Sequence, residues 1–275
     1  MHATSSTPRS VRPSALRTLG ATLTGNAYLV LGTAFFSLLT LAAAVVPPRG
    51  RWTYRVARLW AQGLLASSWI RLRCERPGAP SGQPADRPPS GSFVFLVNHL
   101  SLFDIPALLA AIPEPSRFLA KRSLFQIPVF GWAMRAAGFI PVDRKNRSTA
   151  RDSFTSALGG LRHGASILIF PEETRSLDGA LLPFQRGGIL LAMKSALPVV
   201  PVGIEGTFEV QMRRSFLIRP RQVSMRFGEP VALAGRSVRD LGRIAEELRR
   251  EVSTLARAPL AVEPRGADSE GEGAA

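Results

Sequence analysis

Short apolar runs alternate with helix-like patterns through the middle of the chain, and this alternation restricts the fold more than any other feature. The apolar runs predict strands near residues 70–75, 93–97, 116–120, 139–142, 165–170, 198–203 and 221–227. Helical spacing predicts helices near residues 103–111, 123–137, 149–162, 186–196 and 237–257. Strands that alternate with helices tend to pair in parallel, because each helix carries the chain back across the sheet. We therefore predict an α/β fold in which helices flank a mostly parallel sheet.

An uncharged segment precedes this domain. No charged residue occurs between Thr18 and Pro48, and Ala27–Val46 is almost wholly apolar. About 20 apolar residues are what a helix needs to cross a bilayer. A cleaved signal peptide is the alternative, since basic residues precede the segment and residues 42–44 resemble a cleavage site. The apolar part is longer than a signal peptide usually has, so we predict a retained, membrane-anchoring helical segment.

Basic residues flank this anchor on both sides and leave its orientation open. Arginines stand at positions 9, 12 and 17 before it, and at positions 49, 51, 55 and 58 after it. The positive-inside rule weakly favours a cytoplasmic C-terminal side, whereas a hairpin that enters one leaflet would keep both basic flanks inside. Apolar residues then recur at helical spacing from Trp52 to Leu64. They predict a helix along the membrane interface or, alternatively, an amphipathic helix packed on the domain.

Composition divides the chain into four parts. Residues 1–17 form a basic tail and residues 259–275 an acidic tail, and both are predicted to be disordered. Residues 18–67 form the anchor with its interfacial helix, and residues 68–258 form one folded domain. The single cysteine, Cys74, excludes an internal disulfide, and the three histidines are too scattered for a zinc site. We therefore predict no metal site.

The net charge of +15 points to a polyanionic partner, either nucleic acid or an anionic membrane surface. The sequence contains no zinc-finger, RNP-type or helix-turn-helix pattern. A membrane anchor also suits a nucleic-acid-binding module poorly. We predict that the chain binds membrane lipids and not nucleic acid.

The stretch from Phe93 to Pro106 offers the clearest catalytic chemistry. A buried strand leads into Asn98 and His99, and Asp104 follows five residues after the histidine. Within one ideal helix, residues five apart are rotated by about 140°, so the two side chains meet only if His99 precedes the helix. Ser101, as an N-cap, would supply that break. The pair could then remove a proton from an alcohol. The alternative is a buried core histidine, with Asp104 complementing the helix dipole.

Other candidate residues follow neighbouring strands, at the edge where chemistry gathers in α/β sheets. These residues are Lys121, Arg144 and the stretch Glu172–Ser176, which contains Arg175. Arginine binds phosphate oxygens in a bidentate fork, although each cation taken singly could equally be a solvated surface charge. Pro201 lies within a later strand, where we expect it to disturb pairing and shape a cavity.

Four stretches in this order resemble the sequence blocks of the glycerolipid acyltransferases, most of all the bacterial lysophosphatidic acid (1-acyl-sn-glycerol-3-phosphate) acyltransferases. They are Asn98-His99 with Asp104, GFIPVDR at 138–144, FPEETRS at 170–176 and VVPVG at 199–203. The resemblance covers about residues 68–232, and four ordered blocks are far more specific than a single histidine–aspartate spacing.

The resemblance implies a membrane-bound enzyme that moves an acyl chain from acyl-CoA or acyl carrier protein to the sn-2 hydroxyl of lysophosphatidic acid. It implies His99 as general base, Asp104 as its support and no further cofactor. Four residues would hold the phosphate and glycerol of the acceptor: Arg144, Glu172, Thr174 and Arg175. Three others are expected to contact substrate: Asn98, Lys121 and Pro201, the last along the acyl path. The enzyme would lie in the cell inner membrane, with its catalytic domain on the cytoplasmic face.

One residue departs from the family pattern. The third block usually reads Phe-Pro-Glu-Gly-Thr-Arg-Ser, and Glu173 here replaces the glycine. If that glycine adopts a positive φ, Glu173 brings strain, and it adds a negative charge near a phosphate. Another lysolipid acceptor and a non-catalytic basic lipid-binding protein therefore stay open as alternatives. A hydrolase would need a nucleophile on the protein, and the chain has no Gly-x-Ser-x-Gly elbow.

Overall fold

The computed structural model describes residues 13–47, 50–81, 83–142 and 164–261. Within these ranges, seven strands form a single sheet: β1 (Arg71–Glu75), β2 (Val94–Val97), β3 (Ser116–Lys121), β4 (Ile140–Val142), β5 (Ser166–Ile169), β6 (Val199–Glu205) and β7 (Gln222–Phe227). All seven coincide with predicted strands. The predicted helix near 149–162 lies outside the described residues.

The strand order is β1-β7-β6-β2-β5-β3-β4, and every neighbouring pair is parallel except β6 and β7. The predicted α/β sheet is confirmed, as a mixed sheet. The five strands from β2 to β6 end at one edge, here called the carboxyl edge. Because β7 follows β6 after only a short helix, α7 (Thr207–Val210), and a loop, it returns antiparallel and starts at that same edge.

Helices cover both faces of the sheet. Alternate residues of the central strand β2 point to opposite sides, so Phe95 and Val97 join one buried cluster and Val94 and Leu96 the other. Helices α3 (Arg51–Ser67) and α4 (Asp104–Ala111) cover the first side, and α6 (Arg186–Lys194) and α8 (Leu241–Ala256) cover the second.

The N-terminal segment forms one long helix. Helices α1 (Ala15–Ala27) and α2 (Thr33–Ala43) are joined by a π-helical turn, Tyr28–Gly32, into 29 continuous residues. By length and composition this helix could cross a membrane. Its second half packs on α3 and on α5 (Phe130–Ala136), so it lies along the domain. Helix α3 buries one face against the core, which supports the alternative of an amphipathic helix packed on the domain.

Two helix predictions need correction. The pattern at 123–137 predicted one helix, but the structure has a 3₁₀ turn, Arg122–Gln126, followed by α5. Pro128 lies between them, and a proline inside a helix removes one hydrogen bond and clashes with the preceding turn. Ser237 does act as a cap, but of the short 3₁₀ turn Val238–Asp240 that precedes α8.

Candidate active site

His99 and Asp104 meet at the carboxyl edge, immediately beyond β2. The Nδ1 atom of His99 lies 2.8 Å from Oδ2 of Asp104, which is the first residue of α4 and is fully buried. The same oxygen accepts hydrogen bonds from the backbone N–H groups of Leu100, at 2.7 Å, and Ser101, at 2.8 Å. If Nδ1 carries the proton, the carboxylate fixes the imidazole tautomer and leaves Nε2 free to accept a proton. The contact predicted from the spacing is present.

The residue that closes the turn before α4 is not the one predicted. Ser101 is not the N-cap, because α4 is preceded by Phe103 and has no side-chain cap. The Ser101 hydroxyl instead donates to the carbonyl of Gln211, at 2.9 Å. The carboxylate of Asp104 folds back onto the two preceding N–H groups, and this closes the turn. Asp104 therefore supplies both the partner of His99 and the break that separates His99 from the helix.

The segment Phe170–Ser176, after β5, holds His99 from three sides. The Phe170 ring stacks on the imidazole, with ring centroids 4.2 Å apart. The Oε1 atom of Glu172 accepts from the backbone N–H of His99 at 2.6 Å, and the backbone N–H of Ser176 donates to the His99 carbonyl at 3.0 Å. The ring and both backbone polar groups of His99 are thus positioned by this one segment.

Glu172 is a buried carboxyl that links two chain segments. Its second oxygen, Oε2, accepts from the backbone N–H of Leu182 at 2.8 Å. Burial raises the pKa of Glu172 to about 8, against the lowering effect of its two backbone donors. The charge of Asp104 raises the pKa further, whereas Arg249 lowers it. The family resemblance implied that Glu172 binds the acceptor, but both of its carboxyl oxygens accept hydrogen bonds from the backbone.

Glu173 adopts a left-handed backbone, with φ of +58°. This position therefore has the positive φ that glycine tolerates best, as anticipated for the residue that replaces the family glycine. A residue with a Cβ loses roughly 1–2 kcal/mol in this conformation.

Arg175 is half-buried beside this site, whereas Thr174 is exposed. No acidic side chain pairs with Arg175 among the residues that the structure describes. Its pKa is lowered, first by burial and then by the positive charge of Arg213, while Asp104 acts in the opposite sense. Arg213 was not singled out from the sequence, because it stands in an irregular loop without a motif. Its arginine-rich surroundings were the only available signal.

The other predicted cations are not shown next to His99. Lys121 is the exposed last residue of β3, at the same edge but separated from β2 by β5. Arg144 lies outside the described residues, so its predicted role in binding the acceptor stays a prediction.

Asn98 and Pro201 act within the sheet. The Asn98 side chain is fully buried, donates to the carbonyl of Ile204 at 2.9 Å and accepts from its N–H at 2.7 Å. It therefore extends the β2–β6 ladder by one step, with both polar atoms of its buried amide hydrogen-bonded to the backbone. The contacts give Asn98 a structural role in place of the expected substrate contact.

Pro201 stays in register opposite Leu96 of β2, so the expected disturbance of that pairing is wrong. Its carbonyl accepts from the N–H of Gly228, at 2.8 Å, where the chain leaves β7. Proline has no N–H to donate in return, and the pairing is irregular here, since Val199 next pairs with Val231 in an isolated antiparallel bridge.

An apolar cavity of about 770 Å³ adjoins the site. It lies between α2, α3, α4 and α5, and residues on both sides of Asp104 line it, including Leu102, Phe103 and Ile105. Pro201 is not among its lining residues. The cavity was not foreseen from the sequence, because its walls come from segments far apart in the chain.

The fold and this site resemble those of acyltransferases, and the family model described as Acyltransferase matches residues 82–205. The chain is similar to the glycerolipid acyltransferases over most of its length. It is 32% identical over 212 residues to the chloroplastic 1-acyl-sn-glycerol-3-phosphate acyltransferase BAT2 of Brassica napus, a match that covers 74% of this chain and 59% of that protein. It is 28% identical over 226 residues to the mouse 1-acyl-sn-glycerol-3-phosphate acyltransferase alpha, covering 81% of this chain and 76% of that protein.

A solved structure is also similar. The crystal structure of the 1-acyl-sn-glycerophosphate (LPA) acyltransferase PlsC from Thermotoga maritima superimposes with a TM-score of 0.70 at 26% identity. That match covers 90% of this chain and 99% of the other. Among the curated relatives the coverage is smaller, since the chain spans 44–59% of the length of three plant enzymes.

Proposed function

We propose that this protein transfers a fatty acyl chain from acyl-CoA or acyl carrier protein to the sn-2 hydroxyl of lysophosphatidic acid, giving phosphatidic acid. The observation that carries the proposal is the 2.8 Å contact between His99 and the buried carboxylate of Asp104. The two relatives described above are both named 1-acyl-sn-glycerol-3-phosphate acyltransferases, which supports this acceptor.

His99 acts as the general base. Its Nε2 takes the proton of the acceptor hydroxyl while the oxygen attacks the thioester carbonyl, and Asp104 stabilises the imidazolium that forms. The tetrahedral intermediate then collapses, the carbon–sulfur bond breaks, and the departing thiolate takes the proton back. The nucleophile belongs to the substrate, so no acyl-enzyme forms. General-base assistance contributes about 10²–10⁴ in rate, and the positioning of both substrates supplies much of the remainder.

Arg175 is the described residue best placed to bind the acceptor's phosphate. Its guanidinium is half-buried, has no acidic partner in the described part of the chain and lies close enough to Asp104 to interact electrostatically. Thr174, Lys121 and Arg144 remain proposed contacts of the acceptor. Glu172 and Asn98 instead support the loop of His99, in accordance with their backbone hydrogen bonds.

The apolar cavity is proposed to receive an acyl chain. Its volume of about 770 Å³ falls within the range of roughly 300–1,000 Å³ that is usual for ligand pockets. Its lining is almost wholly apolar, and it reaches the turn that carries Asp104. An acyl chain bound there would have its reactive end near His99.

The long N-terminal helix is proposed to anchor the enzyme in the cell inner membrane, with the domain on the cytoplasmic face. Because α2 lies along α3 and α5, an anchor that enters one leaflet fits the packing better than one that projects away from the domain. Such an arrangement would hold the His99 site next to the lipids that it acts on.

The test is an assay of the purified protein in detergent with a panel of lysolipids and with both acyl-CoA and acyl carrier protein donors, analysed by product mass. We expect phosphatidic acid as the main product. His99→Ala should lower the rate at least about 10²-fold. Arg239→Gln, at an exposed position before α8, is the control that should retain activity. An unchanged rate in His99→Ala would end the assignment, and acyl label left on the protein would indicate a hydrolase.

Glu173 gives a specific reason to include other acceptors in the panel. It places a carboxylate two residues from Arg175, and no cation pairs with it among the described residues. A negative charge there would disfavour a doubly charged phosphate monoester relative to a lysolipid whose head group carries an amine. Faster transfer to such a lysolipid than to lysophosphatidic acid would identify it as the preferred acceptor. The proposed roles of His99 and Asp104 would stay the same.

A further inference from the structure

The loop of residues 211–219, between α7 and β7, has the composition of a membrane-contacting segment. Phe216 is 83% exposed, and Met212 and Leu217 are also exposed. Arg213 and Arg214 stand between these apolar residues and have no acidic partner among the residues that the structure describes. A large aromatic side chain beside unpaired cations, at an exposed loop, is typical of contact with a lipid interface.

This loop is attached to the apolar helix. The Asn26 amide donates to the carbonyl of Phe216 at 2.9 Å. The hydroxyl of Thr22 accepts from the N–H of Ile218 at 3.0 Å and lies 3.2 Å from its carbonyl. The packing is close here, because a Cβ on Gly25 would come within 2.7 Å of the Ile218 side chain. The loop therefore lies at the depth of residues 22–26 of the helix in any membrane that the helix enters.

The same loop is hydrogen-bonded to the turn between His99 and α4. Its first residue, Gln211, accepts from the hydroxyl of Ser101, three residues before Asp104, at 2.9 Å. Arg213 is close enough to Arg175 for the two charges to interact. The loop thus joins the proposed anchor, through Thr22 and Asn26, to the turn that positions His99.

We propose that the 211–219 loop is a second membrane contact, in which Phe216 and Leu217 insert among the lipids beside the N-terminal helix while Arg213 and Arg214 meet anionic head groups. The proposal rests on the membrane attachment proposed above and adds the site of contact. The occupant is an anionic phospholipid bilayer, because the loop is basic as well as apolar and is continuous with the apolar helix. This contact sets the mouth of the His99 site at the depth of the head groups, where an acceptor phosphate lies.

The insertion can be measured with a fluorescent label on a single cysteine. Burial raises the pKa of Cys74 to about 11, so this thiol is poorly reactive near neutral pH, and Cys74→Ser removes it altogether. In that background, cysteines are placed at Phe216, at Leu31 in the anchor and at Val238. Leu31 is 71% exposed, and Val238 is 60% exposed in the connection that leaves β7 at the opposite edge of the sheet. Each variant is labelled with an environment-sensitive dye.

The labelled proteins are reconstituted in vesicles of phosphatidylcholine and phosphatidylglycerol. Nitroxide-labelled lipid should quench the dye at positions 216 and 31, and aqueous iodide should quench the dye at position 238. Iodide quenching at 216 with lipid quenching at 31 would overturn the loop proposal and leave the anchor intact. Protection from both quenchers at 216 would also overturn it, because a second protein chain would then cover the loop. Iodide quenching at 31 would refute the membrane attachment itself.

A kinetic measurement separates this contact from a purely structural role. The double variant Phe216→Ser, Leu217→Ser should lower the rate on a long-chain acceptor in vesicles relative to the rate on a short-chain, monomeric acceptor. We expect this ratio to fall roughly threefold or more, since interfacial binding scales with the apolar area inserted. Val238→Ser is the matched control and should leave the ratio unchanged. An unaltered ratio in the double variant would overturn the proposal. If the wild-type protein acylates neither acceptor, the proposed reaction fails, and the quenching experiment still decides the loop.

Discussion

Glu172→Gln is expected to change how the stability of this protein depends on pH. The carboxyl of Glu172 receives one backbone N–H from His99 and one from Leu182. A glutamine has one acceptor oxygen, so one of the two N–H groups would face an amide NH₂ and lose its partner. An unsatisfied buried N–H costs about 1–3 kcal/mol. Near pH 5, where the native wild-type carboxyl is mostly neutral, the variant should therefore be the less stable protein by about this amount.

The difference should shrink as the pH rises. The pKa of Glu172 is raised from the ordinary 4.5 to about 8 in the folded protein, so the native state holds more protons than the unfolded state between these values. Because each pKa unit corresponds to about 1.36 kcal/mol, the wild type should lose a few kcal/mol of unfolding free energy across this window. This stability is fully present below the unfolded pKa and is lost as the pH passes through the folded pKa. Glutamine cannot titrate and lacks this slope.

The assay is denaturant unfolding in detergent micelles, followed by circular dichroism from pH 5 to pH 9. The difference between variant and wild type at each pH cancels the groups that the two proteins share. Glu209→Gln, at a half-exposed glutamate that pairs with Arg221 at 3.6 Å, is the matched control and should show no such slope. A stability difference between Glu172→Gln and the wild type that is the same at every pH would refute the reasoning.

Three further outcomes follow from the site. Asp104→Asn should lower kcat about 10²–10⁴-fold, because the amide cannot stabilise the imidazolium, and a rate within a factor of two of wild type would contradict the pairing. Arg175→Gln should chiefly raise the KM for lysophosphatidic acid, whereas a loss confined to kcat would argue against phosphate binding. Glu173→Gly should raise the unfolding free energy in a denaturant titration by about 1 kcal/mol, since it relieves a positive φ, and a lower value would show that the Glu173 side chain is stabilising.

Local sequence patterns predicted correctly those features of the structure that depend on residues close together in the chain. Buried strands are short apolar runs, and all seven described strands coincide with predicted ones. The histidine–aspartate contact was also predictable, because five residues of spacing and a helix start allow few arrangements. The break of the helix at Pro128 follows from proline chemistry but was missed, since the apolar spacing continues across it.

The roles of the supporting residues were not predictable in this way. Asn98 pairs with Ile204, and Glu172 joins His99 to Leu182, so each role depends on a partner that the fold brings in from another segment. A motif marks such residues as notable without saying whether they touch the substrate or the backbone. The same holds for Arg213 and Phe216, which stand in a loop without any recognisable pattern.

By itself, the sequence determined the strands, the long apolar N-terminal helix and the pair of His99 and Asp104, because these depend on neighbours along the chain. Only the tertiary structure decided the antiparallel return of β7, the cavity beside Asp104 and the attachment of the 211–219 loop to the N-terminal helix. Each of these features joins segments that are distant in the chain. Their free energy comes from packing and hydrogen bonds that exist only after the sheet has assembled.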